Sequence, residues 1–281
     1  MNSPRWLAGV AVFLLSAAAG LLPAAAQLPS LDNPPWIGYF AVFANKHFRL
    51  GMTTQGKITL TPIGDKGEAV AKTLAIPIEI TVEETRPDGQ STVKQLKPES
   101  LESAQHATEQ LEKTVIRGKV TGGASFEVSI GQNRGVISLG GRLLDRGSLR
   151  KYPLRFSIRV KFPAAYPSEQ QDDKKQARAF QKKLGDDHID LTWTDGKRKK
   201  QAFDQAVNAS SKELNGPGIT TAEVEISAYK GNKFLFTASP NSSLYLTNDK
   251  TAPLHKGFAI RWLPDAAKDP AGKASLSFQV R

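Results

Sequence analysis

The 281-residue chain contains no cysteine and only two methionines. That excludes a disulfide framework, a thiol nucleophile, thiolate metal sites and a lipid anchor on a lipobox cysteine, so the fold has to hold by packing alone. Acid is also in short supply: 27 Asp and Glu face 38 Lys and Arg, a formal charge of +11. A Gly-x-Ser-x-Gly elbow, a phosphate loop, a dinucleotide fingerprint and a His-Glu-x-x-His pair are all missing. Each of these is a local geometry, and its absence removes the chemistry that depends on it. Sites assembled from distant strands escape that test. No cofactor is implied by any motif.

At 40% hydrophobic and 23% charged residues the chain has the composition of a globular protein and not of a disordered one. Its N-terminus is set apart. Arg5 precedes an apolar run from Trp6 to Leu15, and Ala24-Ala25-Ala26 closes the segment just before Gln27. Residues 1–26 read as a secretory signal peptide cleaved after Ala26. The rival reading is an uncleaved anchor, because Trp6 to Ala26 is long enough to span a bilayer as a helix. Pro23 and the alanines suit cleavage better than a continuing helix. The expected address is the periplasm or the exterior of a bacterial cell, with no nucleic-acid partner and no membrane span after cleavage.

The remainder reads as short strands separated by turns. Lys57 to Thr61 and Ile76 to Val82 alternate polar and apolar residues, which implies sheets with one wet face. Asn45-Lys46, Pro87-Asp88-Gly89, Asp195-Gly196 and Gly231-Asn232 lie between β-prone runs as hairpin turns. Helices are expected over 169–184, 99–111 and 203–214, each carrying one apolar stripe. Three segment pairs also resemble one another in the same order: 47–57 with 188–197, Ile78–Thr81 with Val224–Ser227, and Phe156–Arg159 with Phe258–Arg261. The fold expected is all-β, built as two tandem, duplicated β-sandwich-like domains. The first covers residues 27–163 with an insertion at about 90–135. A charged, helical linker at 164–187 leads to the second at 188–281. A single large sandwich is the alternative.

Basic residues are concentrated between Arg142 and Lys161, where seven stand against one acid, Asp145. In the strand there, Phe156, Ile158, Val160 and Phe162 point one way and Arg155, Arg159 and Lys161 the other. With Arg142 and Arg150 these are the candidate contacts for an anionic polysaccharide, lipopolysaccharide or another envelope component. The bland alternative is that the row balances acids on a neighbouring strand, Glu79 or Glu127. His188 and Asp190 share a strand side and are weak metal candidates, without a third ligand at any recognisable spacing. Glu83 and Glu84 point to opposite faces and cannot act together on one bond. Among the tryptophans, Trp193 and Trp262 match apolar residues in the repeat and read as core, leaving Trp36 partly exposed.

These features favour a non-catalytic binding or structural module of the cell envelope with a basic sheet face. The alternative is a carbohydrate-active or metal-dependent hydrolase whose site is assembled across strands. A cleft with clustered carboxylates would favour the enzyme, and a convex basic face the binder.

Overall fold

Alternation dominates the chain, and strands follow it. In the computed structural model, which describes residues 28–64, 67–70, 72–166, 174–204, 209, 214, 217–248 and 252–281, the strands in chain order are β1 (Tyr39–Ala44), β2 (Phe48–Thr53), β3 (Ile58–Pro62), β4 (Ile76–Thr85), β5 (Ser91–Lys94), β6 (Leu96–Glu102), β7 (Lys113–Val120), β8 (Ser125–Asn133) and β9 (Val136–Asp145). They continue with β10 (Leu154–Phe162), β11 (His188–Trp193), β12 (Arg198–Ala202), β13 (Ile219–Glu225), β14 (Lys233–Ala238), β15 (Ser242–Thr247), β16 (Phe258–Pro264) and β17 (Ser275–Val280). The leader, residues 1–26, lies outside the described residues. Among those described, no helix is long and apolar enough to cross a membrane.

Every strand pairing is antiparallel, and the pairings form two runs. One is β1-β2-β3-β4-β10-β16-β15, with β5 extending the far end of β4. The other is β12-β11-β13-β14-β17-β9-β8-β7-β6. A single pair, Ile219 with Leu244, ties β13 to β15 and joins the runs at one corner. The apolar faces of the runs meet. Phe162 of β10 packs edge-on to Phe234 and Phe236 of β14 at 5.3 and 6.0 Å and stacks on Phe258 at 4.9 Å. Phe156 reaches Phe126 of β8. Trp262 is fully buried and Trp193 nearly so, whereas Trp36 is half-buried under the Arg49 guanidinium. Each large apolar side chain enclosed in this way contributes roughly 1.5–3 kcal/mol.

The boundary expected between residues 163 and 188 is crossed by two ladders, β10–β16 and β9–β17. The described strands make one curled antiparallel arrangement, and the tandem duplication is not reproduced in their neighbours. The matched segment in β4 pairs with β10, whereas its counterpart in β13 makes no ladder with β16.

One α-helix is formed among the described residues, α1 (Lys174–Asp186), with Phe180 and Leu184 buried. Its expected first turn, 169–173, lies outside the described residues, as does most of 203–214. The helix expected over 99–111 is instead the end of β6 followed by turns. The reason is side-chain competition for backbone groups. Ser100 Oγ accepts from the Lys119 amide, Ser103 Oγ donates to the Val115 carbonyl, and Gln105 bonds both Lys113 O and Val115 N. Leu101, fully buried, packs where Gly118 leaves room.

Candidate functional site

On β10 the residues between the core aromatics point away from the sandwich interior, and the adjoining strands present polar groups there too. Strand β4 contributes Glu79, Thr81 and Glu83; β10 contributes Arg155, Ser157, Arg159 and Lys161; β16 contributes Arg261; β15 contributes Ser243, Tyr245 and Thr247. The registers set Arg155 opposite Glu83, Ser157 opposite Thr81, Arg159 between Glu79 and Arg261, and Arg261 opposite Tyr245. Two arginines directly opposite each other repel. Glu83 resolves the conflict by reaching diagonally between them.

The Glu83 side chain is only 4% exposed and carries one guanidinium on each oxygen: Arg159 Nη2 donates to Oε1, and Arg261 Nη2 donates to Oε2 at 2.6 Å. Such charge-assisted bonds are the strong kind. Arg261 is oriented from behind, its Nε donating to Ser157 Oγ at 3.0 Å, which in turn bonds Thr81 Oγ1 at 2.6 Å. Burial pulls the Arg261 pKa below its usual value, Glu83 opposes that, and Arg159 and Arg155 add to it. Three guanidiniums therefore act on each other around one carboxylate. The Arg155 guanidinium makes no hydrogen bond or ion pair among the described residues, and neither does the Tyr245 hydroxyl.

Two clefts flank this group. One, of about 420 Å³, lies at the C-terminal end of β10 and is lined by Arg159, Lys161, Thr247, Asn248, Lys256 and Ala259 among others. The second, of about 630 Å³, lies at the N-terminal end and includes Arg142, Arg155, Tyr245, Leu263, Asp265 and Asp269. Both volumes fall in the range of small-molecule sites.

The candidates drawn from sequence separate here. Arg155, Arg159 and Lys161 share the face, and Lys161 pairs with Glu79 at 3.1 Å. Arg142 comes to the rim of the second cleft from β9, donating to Pro270 O at 3.2 Å with Glu127 at 3.7 Å. Arg150 does not join them, since it sits in the loop after β9 and bonds Gly147 O. The row thus balances Glu79 and Glu127, the acids named in the bland alternative. Glu84, on the other side of β4, pairs with Lys94. Glu83, which cannot act with Glu84 on one bond, is the residue that organises this face. Its signal is the match between Phe156–Arg159 and Phe258–Arg261, which sets two arginines at equivalent places, and both take the same carboxylate.

His188 and Asp190 lie apart from this face. His188 Nε2 is 3.6 Å from Asp190 and 3.7 Å from Glu225, while its Nδ1 meets the Asp186 carbonyl at 2.8 Å. The cation held in that cluster is the Lys233 ammonium, 2.6 Å from Glu225. That hydrogen bond is the leading cause that lowers the Glu225 pKa and raises that of Lys233. Among the described residues, no group of three or more His, Asp or Glu is arranged to hold a metal ion.

No family model and no curated protein sequence matches this chain. Solved structures do. An α-N-acetylgalactosaminidase from Bifidobacterium bifidum, solved as a quadruple mutant, superposes with a TM-score of 0.51 at 13% identity, over 85% of this chain and 36% of that one. A candidate aldose 1-epimerase from Escherichia coli K12 gives 0.45 at 10% identity, covering 86% and 98%. A galactose mutarotase related enzyme from Lactobacillus acidophilus gives 0.40 at 12%, covering 85% and 96%. The chain spans about a third of the glycosidase. The first of these likenesses carries the fold, an antiparallel sandwich. The expectation of a non-catalytic module with a bare basic face is corrected on two grounds. The face is an ion-paired network organised by a buried carboxylate between two clefts, and the fold is one found in a carbohydrate enzyme.

Proposed function

We propose that this protein is a carbohydrate-active enzyme whose site is assembled across β4, β10, β15 and β16. The observation that carries the reading is Glu83, a buried carboxylate that fixes two guanidiniums on a polar sheet face between two clefts. Fold-level likeness to the α-N-acetylgalactosaminidase supports the carbohydrate part. Glu83 itself is a positioning residue, because both its oxygens are occupied by guanidiniums. The arginines it aims supply fixed donors for the charge that develops on a sugar oxygen. Tyr245, opposite Arg261 with a free hydroxyl, is the proton carrier.

The two strand carboxylates do not suit glycoside cleavage by a carboxylate pair. Neither Glu79 nor Glu83 is free to act in such a pair, since Lys161 holds the one and Arg159 with Arg261 the other. Ring opening delivers a proton from the Tyr245 hydroxyl to the ring oxygen while the anomeric hydroxyl loses one to solvent water, closing on the other face reverses both, and neither step needs a carboxylate pair. Anomer exchange measured by NMR on a panel of free sugars tests the reading. Turnover that falls at least a hundredfold in Tyr245→Phe, with the fold intact, supports it; full activity in that variant removes Tyr245, and no activity or binding on any sugar removes the function. Export to the periplasm or the exterior is part of the proposal and rests on the leader sequence.

A further inference from the structure

We propose that the substrate is an acidic carbohydrate, its anionic group held in the cleft at the C-terminal end of β10 by Arg159, Lys161 and Lys256. This deepens the proposed function and rests on it. The argument starts from charge. The face carries Arg155, Arg159, Lys161 and Arg261 against Glu79 and Glu83, and both carboxylates are already engaged: Glu83 by two arginines, Glu79 by Lys161. The surplus is positive.

The first cleft is lined by charge of one sign only. Three cations line it and no carboxylate does. Lys256 is exposed and makes no ion pair among the described residues. The second cleft sets Asp265 and Asp269 beside Arg142 and Arg155, so its signs are mixed. Two buried polar atoms of the first cleft's lining also lack partners: the Arg159 Nε donor and the Asn248 Oδ1 acceptor. Buried polar groups without partners are uncommon and costly. An anion's oxygens accept from cationic donors, and a hydroxyl donates to an amide oxygen. A sugar bearing a carboxylate, sulfate or phosphate has both within one residue. A neutral sugar offers no countercharge to Lys256, the one of the three cations without an ion pair among the described residues.

The test is calorimetric titration of the purified full chain with galacturonate and glucuronate, hexose 6-phosphate, hexose 6-sulfate, and neutral galactose and N-acetylgalactosamine. Acidic sugars should bind at least tenfold more tightly than neutral ones, and the arm that binds identifies the anion. The preference should shrink as salt shortens the Debye length towards about 3 Å near 1 M. Lys256→Gln should weaken the acidic ligand about tenfold, the loss of one charge-assisted contact, with the thermal midpoint as it was. Equal binding of acidic and neutral sugars overturns the inference and leaves the carbohydrate reading standing. Inorganic phosphate or acetate that binds as tightly as the matching sugar acid also overturns it. Failure of every sugar, with no anomer exchange, overturns both.

Discussion

Replacing Glu83 by glutamine keeps the size of the side chain and one acceptor but removes the charge between Arg159 and Arg261. The two guanidiniums are directly opposite in the β10–β16 register and would then face each other with nothing to neutralise them. Breaking a fully buried ion pair by deleting one partner costs about 3–5 kcal/mol. Here the arginine side chains retain 26% and 14% exposure, so water recovers part of the loss, and about 2–3 kcal/mol is the expected destabilisation. For a domain of this size that corresponds to a fall in Tm of roughly 4–12 °C. Urea unfolding should show a lower midpoint with an unchanged slope, since the surface exposed on unfolding is the same.

The companion variant separates stability from function. Changing Glu83, Arg159 and Arg261 together to leucine removes charge and countercharge at once, and such replacements are neutral or stabilising in other proteins. The triple variant should return to within about 1 kcal/mol of the parent while binding no sugar. If Glu83→Gln unfolds at the parent midpoint, Glu83 does not hold the arginines. If the triple variant is as damaged as the single one, the loss was one of packing and not of charge, and the reasoning fails.

Phe162→Ala should cost about 3–5 kcal/mol in chemical denaturation, because Phe162 touches Tyr229, Phe234, Phe236 and Phe258 at the centre of the sandwich. Gly141→Ala should cost about 1–3 kcal/mol by the same measurement: a Cβ there would lie 2.6 Å from the Glu127 carbonyl and from the Phe156 ring, neither of which can withdraw. His255 packs edge-on to Phe180, and burial, then Lys256, lowers its pKa below 6.5. A depressed pKa means that the unfolded chain takes up the proton first, so the stabilisation is complete above 6.5 and declines as pH falls through the folded value. Unfolding midpoints followed downward from 6.5 should show this decline in the parent and a shallower one in His255→Phe.

Strands were legible wherever one face is dry. Lys57–Thr61 and Ile76–Val82 alternate because β3 and β4 lie with one side on the core, and the turns at Asp88-Gly89 and Asp195-Gly196 follow from glycines with φ near +80°. The segment at 99–111 misled because its apolar spacing fits a helix, while its Ser and Gln side chains were committed to the backbone of β7. The tandem duplication expected from sequence is not confirmed, and the reason is topological. Sequence similarity reports which residues are buried, not which strand lies alongside, and β10 pairs with β16 across the supposed boundary. The arginine row on β10 was visible in the sequence. Its organiser was not, since Glu83 lies 76 residues from Arg159 and 178 from Arg261, and no local pattern reports a contact of that separation.

One strand therefore serves two ends at once. Phe156, Ile158, Val160 and Phe162 fasten β10 to both layers, and the same backbone holds Arg155, Arg159 and Lys161 on the outer face with a spacing set by the pleat, about 7 Å between alternate residues. Side chains placed on a rigid strand keep their geometry better than those on loops. Ser157 completes the arrangement by linking Thr81 to Arg261, so that the guanidinium is aimed by neighbours on both flanks. Inward substitutions on β10 should consequently be read out in stability and outward ones in ligand affinity, with Ser157 the position where the two meet: Ser157→Ala leaves the core aromatics untouched yet frees the Arg261 Nε. Its effect should fall on sugar affinity more than on the unfolding midpoint, and the reverse result would mean that the Thr81–Ser157–Arg261 chain holds the sheets together and does not prepare a site.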